Sequence, residues 1–379
     1  MNEQGNPIDK RIAIFLPGLY NGGAERVMLN LAMGIAERGY LIDLILSQAE
    51  GPYTKELPTL PQSVRVIELN KQPRKFSRTL FSLPALVKYL RHEKPMALLS
   101  GLHANIIALW AKKISRINTR LVITEHNTFT YQNQLLPAFL RVLMQISVRM
   151  FYPWADSIIA VSSGAADDLM RVTHLPRTFI KTIYNPIITP ELKIKADLPL
   201  DHPWFAQNEP PVIVSIGRLT QQKDFPTLIH AFHIVRQSNP VRLIILGEGE
   251  DRPALKRLIQ QLGIENDVAM PGFIQNPYPY LTHAALYVLS SRWEGLPTVL
   301  VEALYCNVPI IATDCPSGPR EILQNGLYGQ LVPMGDAKHL ANVIKEQLDG
   351  QALRAPSESW HPYEMETVTD QYLHILCDD

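Results

Sequence analysis

Short, largely apolar runs alternate with helical patterns from residue 11 to residue 332, and no other feature constrains the fold of this chain so tightly. In the first half the runs cover 11–16, 41–46, 64–69, 96–99, 121–124, 157–161 and 181–184. A strand that is apolar on nearly every residue cannot leave one face in water. It belongs in a sheet covered by helices on both sides, and a helix between successive strands makes that sheet parallel. The rhythm stops between Asn185 and Pro211, where six prolines and no sustained period predict a linker. It restarts with runs at 212–216, 242–246, 267–270, 285–289, 309–312 and 329–332. The 379 residues are therefore expected to form an α/β protein of two doubly wound, Rossmann-like domains, 1–190 and 205–360. In 361–379, Val368, Tyr372, Ile375 and Leu376 stand at helical spacing and predict a terminal helix with a face to bury.

Charge is uneven along the chain. Residues 1–200 carry 24 Lys and Arg against 15 Asp and Glu, and the remainder 12 against 21. A basic first half suits an anionic partner, such as a phospholipid surface or a phosphorylated acceptor, and reads equally as scattered solvated charge. The segment Lys71 to Phe81 sets four basic residues among two phenylalanines. It leans towards an anionic bilayer surface, with a solvated loop as the alternative. The most apolar helical stretch, Leu135 to Trp154, is interrupted by Arg141, Gln145 and Arg149 and reads as an amphipathic or buried helix, not a span. Three cysteines (Cys306, Cys315 and Cys377) without metal-ligand spacing suggest a reduced, cytosolic protein, and the opening residues read as no signal peptide. No nucleic-acid motif or aromatic platform is present.

Doubly wound sheets bind ligands beyond the carboxyl ends of their strands, and two such domains make the cleft between them the default site. The loops at those ends are therefore the candidates. After the first strand, Gly22 and Gly23 open a helix, where bare backbone lets a ligand approach, or simply turn the chain. The pattern is not G-x-G-x-x-G, which weakens an oxidoreductase reading. His126 follows another strand, where a lone histidine is more often structural. Gly217-Arg218 and Lys223 place a donor fork and a point charge five residues apart on one loop, suited to a diphosphate or to solvent. Gly247-Glu248-Gly249 and Gly272-Phe273-Ile274 end the next two strands. Glu294-Gly295-Leu296-Pro297 then leads into a helical run that carries Glu302. On spacing alone these two glutamates also read as a turn residue and a solvated helix residue, although a proline-led helix start is a natural anion seat.

Taken in order, Gly217-Arg218 with Lys223, Gly247-Glu248-Gly249, Gly272-Phe273 and Glu294-x7-Glu302 resemble glycosyltransferase family 4, the retaining GT-B enzymes. The likeness takes in Gly22-Gly23, His126, Tyr184-Asn185-Pro186 and the terminal helix. Gly22 to Arg26 and Thr313 to Leu323 resemble members that build bacterial surface polysaccharides such as O-antigen or capsule. The resemblance implies that the terminal helix crosses back onto the N-terminal domain, which binds the acceptor, while the C-terminal domain binds the donor. It implies that Arg218 and Lys223 hold the donor diphosphate and stabilise the leaving group. Glu294 would meet sugar hydroxyls, Gly217, Gly295, Leu296 and Pro297 would offer backbone, and Glu248 would lie in the donor loops. Glu302 would bind the ribose, the backbone of Phe273 and Ile274 would meet the base, and His126 would lie near the transferred sugar, with Gly22 and Gly23 approaching phosphate or acceptor.

The expected protein is thus a cytoplasmic hexosyl- or N-acetylhexosaminyltransferase, peripheral on the membrane or free of it. Its partners would be a nucleotide sugar (a UDP-sugar) and a glycan or lipid-linked acceptor, without nucleic acid. A soluble acceptor, or nucleotide-sugar binding without turnover, is the alternative. No Asp-x-Asp occurs, so no metal-held diphosphate and no other cofactor is expected; cations and a helix dipole would meet the growing charge. The two glutamates would be recognition groups and not the acid–base pair of a hydrolase.

Overall fold

The computed structural model describes residues 10–20, 22–70, 79–134, 136–350 and 352–377. It divides into two units, the first made of 1–186 together with 364–379 and the second of 187–363.

In the first unit, seven strands form one sheet: β1 (Arg11–Leu16), β2 (Leu41–Leu46), β3 (Val64–Glu68), β4 (Ala97–Gly101), β5 (Arg120–Glu125), β6 (Ser157–Ala160) and β7 (Ile180–Thr182). Their order is β3-β2-β1-β4-β5-β6-β7 and every pairing is parallel. The sheet is covered on both faces, and β1 shows why its sequence does not alternate. Ala13 and Phe15 pack into one core while Ile12, Ile14 and Leu16 pack into another on the opposite face. Successive side chains point to opposite sides, so both sides must be apolar.

The helix Met365–Cys377 contributes Val368, Tyr372 and Leu376 to the second of these cores. It lies so close to the helix Gly23–Glu37 that a β-carbon on Gly34 would sit 2.3 Å from the Thr369 hydroxyl oxygen. Glycine is the residue that permits this approach. Arg38 and Asp370 add an ion pair at 2.9 Å. The terminal face anticipated from spacing is therefore buried against the first unit. Buried Asp43 on β2 is structural, held by Arg11, Arg65 and the Tyr89 hydroxyl.

In the second unit, β8 (Val212–Ile216), β9 (Arg242–Leu246), β10 (Val268–Gly272), β11 (Leu286–Leu289), β12 (Ile310–Thr313) and β13 (Gln330–Val332) run in the order β10-β9-β8-β11-β12-β13, again all parallel. The stretch read as a linker differs from expectation. Thr189 caps a helix, Pro190–Ala196, by accepting from the Leu192 amide at 3.1 Å. Its last carbonyls take bonds from Asn276 and Thr282. Proline at a first helical position nucleates a helix as readily as it breaks one elsewhere, which is why composition alone read this stretch as open chain.

Candidate active site

The order of strands reverses between β1 and β4 in the first sheet and between β8 and β11 in the second. At such a reversal the loops beyond the carboxyl ends diverge and leave a crevice. Topology therefore selects the loop after β8, 217–224, and the loop after β11, 290–297.

These two loops are stitched together. Ser290 donates its hydroxyl to the Lys223 carbonyl at 2.7 Å, the Arg292 amide donates to the Gln222 carbonyl, and the Gln222 amide group donates to the Trp293 carbonyl. The Lys223 ammonium lies 2.5 Å from Glu294 Oε1, which also accepts from the Ser291 hydroxyl at 2.6 Å. Glu294 is 5% exposed, so this carboxylate is all but removed from water and is held by a cation and a hydroxyl. The next residue, Asp224, has a left-handed backbone (φ 47) and precedes the helix Phe225–Arg236. It is held by Thr227 Oγ1 and by Arg292. A buried, hydrogen-bonded charge pair keeps one geometry because every alternative strands a charge in a poorly solvating interior.

Arg218 differs from Lys223. It is exposed and makes no ion pair among the described residues. The loop thus presents one cation that is already committed and one that is open to a ligand. The backbone above them is crowded: Gly247 sits at φ 142, and a β-carbon there would lie 2.0 Å from the Gly217 carbonyl oxygen. Only glycine fits, and it brings the loops after β8 and β9 into contact. Glu248, an exposed residue, pairs with Arg252 at 2.7 Å, and Arg252 also donates to the Met270 and Gly247 carbonyls. Phe273 is 47% exposed just past β10, with Ile274 beside it.

Glu302 lies in the second turn of the helix Thr298–Tyr305. Pro297 caps that helix from outside, with extended backbone, rather than occupying its first turn, and no side chain caps the N-terminus. Ser317 donates to the Gly295 carbonyl at 2.8 Å, and Leu296 is buried, so this approach to the helix is pinned. Burial, with Glu294 and Glu302 nearby, pushes the Tyr287 hydroxyl well above its usual range, and burial beside Glu294 does the same to the Cys315 thiol.

In the first unit, Gly22 caps and Gly23 begins the first helix after β1. Arg26, one turn on, is bound by Glu56 at 2.5 Å and lies over the Tyr53 ring. Beyond β5, His126 is buried, and burial lowers its imidazole to about 4. Thr124 donates its hydroxyl to the Ser100 carbonyl, so it accepts from His126 Nε2, 3.0 Å away. That leaves Nδ1 as a neutral acceptor with no partner among the described residues.

Sequence reasoning missed the groups around it. Glu125 accepts from Asn105 at 2.9 Å and from the Tyr152 hydroxyl, and burial raises it to about 7. It also missed Ser291, although a Ser-Ser pair ending an apolar strand was a visible signal. The segment Lys71 to Phe81 lies outside the described residues over 71–78. No helix among the described residues is long and apolar enough to cross a membrane.

Two doubly wound parallel-sheet units are the architecture of the GT-B fold class. The family described as Glycosyltransferase Family 4 matches residues 21–190 and that described as Glycosyl transferases group 1 matches residues 201–358, so the chain is a glycosyltransferase that carries both domains. It is 29% identical over 352 residues (91% of this chain and 92% of the relative) to the N-acetylgalactosamine-N,N'-diacetylbacillosaminyl-diphospho-undecaprenol 4-alpha-N-acetylgalactosaminyltransferase of Campylobacter jejuni. It is 27% identical to the lipopolysaccharide core biosynthesis glycosyltransferase LpsE of Rhizobium meliloti, over 94% of this chain and 96% of that one. Among solved structures it resembles Anabaena HepE in complex with UDP and glucose, with a TM-score of 0.76, 20% identity, and coverage of 97% of this chain and 99% of the other.

Proposed function

We propose that this glycosyltransferase moves a sugar, with retention of configuration, from a UDP-sugar to a glycan on a lipid-linked carrier during synthesis of a bacterial surface polysaccharide. The observation that carries the donor assignment is the Lys223–Glu294 pair beside exposed Arg218, at the switch point of the second sheet. As the glycosidic bond to phosphate breaks, negative charge grows on the leaving diphosphate. Preorganised cations stabilise that charge without having to reorganise during the reaction. Arg218 meets the diphosphate directly. Lys223 joins it from its place on Glu294, whose carboxylate meets a sugar hydroxyl.

Glu302 takes the ribose, the loop at Phe273 and Ile274 takes the base, and Gly295 to Pro297 line the approach to the helix. Gly217 and Glu248 belong to the donor loops, and Gly22 and Gly23 offer bare backbone to phosphate or acceptor. His126 contributes an uncharged acceptor to a sugar hydroxyl. The acceptor's hydroxyl oxygen forms the new bond to the anomeric carbon, and its proton leaves with the departing diphosphate. The carrier assignment rests on the relative that acts on a diphospho-undecaprenol substrate.

Cations of the chain serve in place of a metal, so turnover is expected to persist in EDTA. The deciding experiment is a transfer assay with a panel of nucleotide sugars and lipid-linked acceptors. UDP release that depends on acceptor and survives EDTA supports the reading. Binding without release for every pair sinks it.

A further inference from the structure

The helix Ala138–Phe151 is the least buried long element of the first unit: Val148 is its only fully buried residue among those described. Phe139, Val142, Leu143, Ile146 and Met150 are between 50 and 69% exposed. At 3.6 residues per turn these five fall on one stripe, about 100° wide, directly opposite Val148. The helix therefore has two apolar faces, one packed on the core and one open. Ser147, at the stripe's edge, donates to its own Leu143 carbonyl, so no hydroxyl there needs a partner.

The apolar surface has a neighbour. Trp110, on the helix Asn105–Ser115, stands edge-on to Phe151 at 5.1 Å and is itself partly exposed, as is Ile114 one turn later. Trp154 closes the aromatic group at 5.0 Å from Phe151, with Lys113 over its ring. Neither helix contains an acidic residue. Their charged residues are Arg141, Arg149, Lys112 and Lys113, of which Lys112 is tied to Asp156. Arg149 lies beside the stripe and lines a polar pocket with Gln145, Asp168 and Arg171.

We propose that this stripe is a membrane-docking face: the helix lies in the plane of an anionic bilayer, with its open side among the acyl chains and Arg149, Lys113 and Arg171 at the phosphates. An apolar stripe with cationic edges and tryptophan beside it is the pattern that interfacial helices use. The element is too short to span, which leaves it on the surface. A second copy fits the face poorly: the acids beside it are already paired, Asp168 with Arg171 and Asp156 with Lys112, so a symmetric contact would set Arg149 and Lys113 against cations. The inference extends the lipid-carrier reading, and its test separates the two.

The full chain is mixed with vesicles of phosphatidylglycerol and phosphatidylethanolamine, or of phosphatidylcholine alone, and sedimented. Binding to the anionic vesicles is expected, with loss by roughly tenfold or more per charge introduced in Leu143→Glu and Ile146→Glu. Arg149→Glu should weaken binding to anionic vesicles only. Both stripe variants alter exposed side chains, so turnover on a water-soluble acceptor should match the wild type. That readout reports the reaction independently of docking. Wild-type protein left in the supernatant, or Leu143→Glu/Ile146→Glu that still sediments with vesicles, overturns the proposal. So does a wild-type dimer that the double variant converts to monomer, since the stripe would then be covered by a second copy.

Discussion

The loops at the carboxyl ends of the two sheets have the same architecture and opposite electrostatics. In the second unit the groups brought together are charged: Lys223 on Glu294, Asp224 under Arg292, and Arg218 free in solvent. Beyond β5 in the first unit burial works against charge: His126 lies well below its usual range, and Glu125 is raised to about 7 between Asn105 and Tyr152. The cause is burial without counter-charge. His126 and Glu125 meet hydroxyls and amides, whereas Glu294 meets an ammonium. A doubly wound sheet offers a place for a ligand, and the side chains at that place decide whether the ligand is a diphosphate or a hydroxyl.

The largest expected effect tests the charged side. Arg218→Ala should lower turnover by roughly 10²–10³ with little change in melting temperature, because the side chain is exposed and makes no ion pair among the described residues. An unchanged kcat/KM for a UDP-sugar would remove Arg218 from the diphosphate. Lys223→Ala should lower turnover as well and also cost about 3–5 kcal/mol in denaturant unfolding, since Glu294 would be left buried and uncompensated. Lys223→Met with Glu294→Gln should regain much of that stability while staying inactive. If the double variant is no more stable than Lys223→Ala, the pair is not the source of the loss.

The neutral side is read by pH, and its two groups have opposite signs. Glu125 is raised from 4.5 to about 7 in the folded state, so its contribution to stability is full below about 4.5 and is lost as pH rises through 7. His126 is lowered from 6.5 to about 4, so its contribution is full above 6.5 and is lost as pH falls through 4. Between 4.5 and 6.5 the slopes oppose each other. Glu125→Gln should therefore expose a steeper loss of melting temperature on acidification below 6.5. His126→Asn should expose the opposite slope, a loss as pH rises towards 7. Parallel curves for wild type and both variants would mean that these groups titrate normally.

The smallest effect is expected at Phe273→Ala. The proposed role there belongs to the backbone, so stability should stay within about 0.5 kcal/mol and donor binding, followed by calorimetry, should change little. A large loss of affinity would assign the aromatic ring itself to the base.

The thirteen strands among the described residues were legible because apolar continuity is a local property of the chain, whereas the helix Pro190–Ala196 was hidden by its proline-rich setting. Loops at strand ends were legible as candidates, since glycines and cations after strands can be read in order, but strand order decided which of them lie at a switch point. What lay beyond reach were relations across distance. Lys223 and Glu294 are 71 residues apart, and no local pattern says that the cation rests on the carboxylate. Glu125 ends a strand, and nothing local in the sequence says that Tyr152 and Asn105 enclose it.

The helix over 138–151 shows the division most plainly. Its periodicity announced an amphipathic or buried helix, and its composition excluded a span. The residues by themselves carry two apolar faces, and either would serve as a core face. Only the packing of Val148 into the first unit's core decided that Phe139, Leu143 and Ile146 stay outside. Local order follows from residue sequence because it is encoded within a few positions. Which surfaces are consumed by folding, and which remain to meet a partner, depends on contacts that exist only once the sheets have formed.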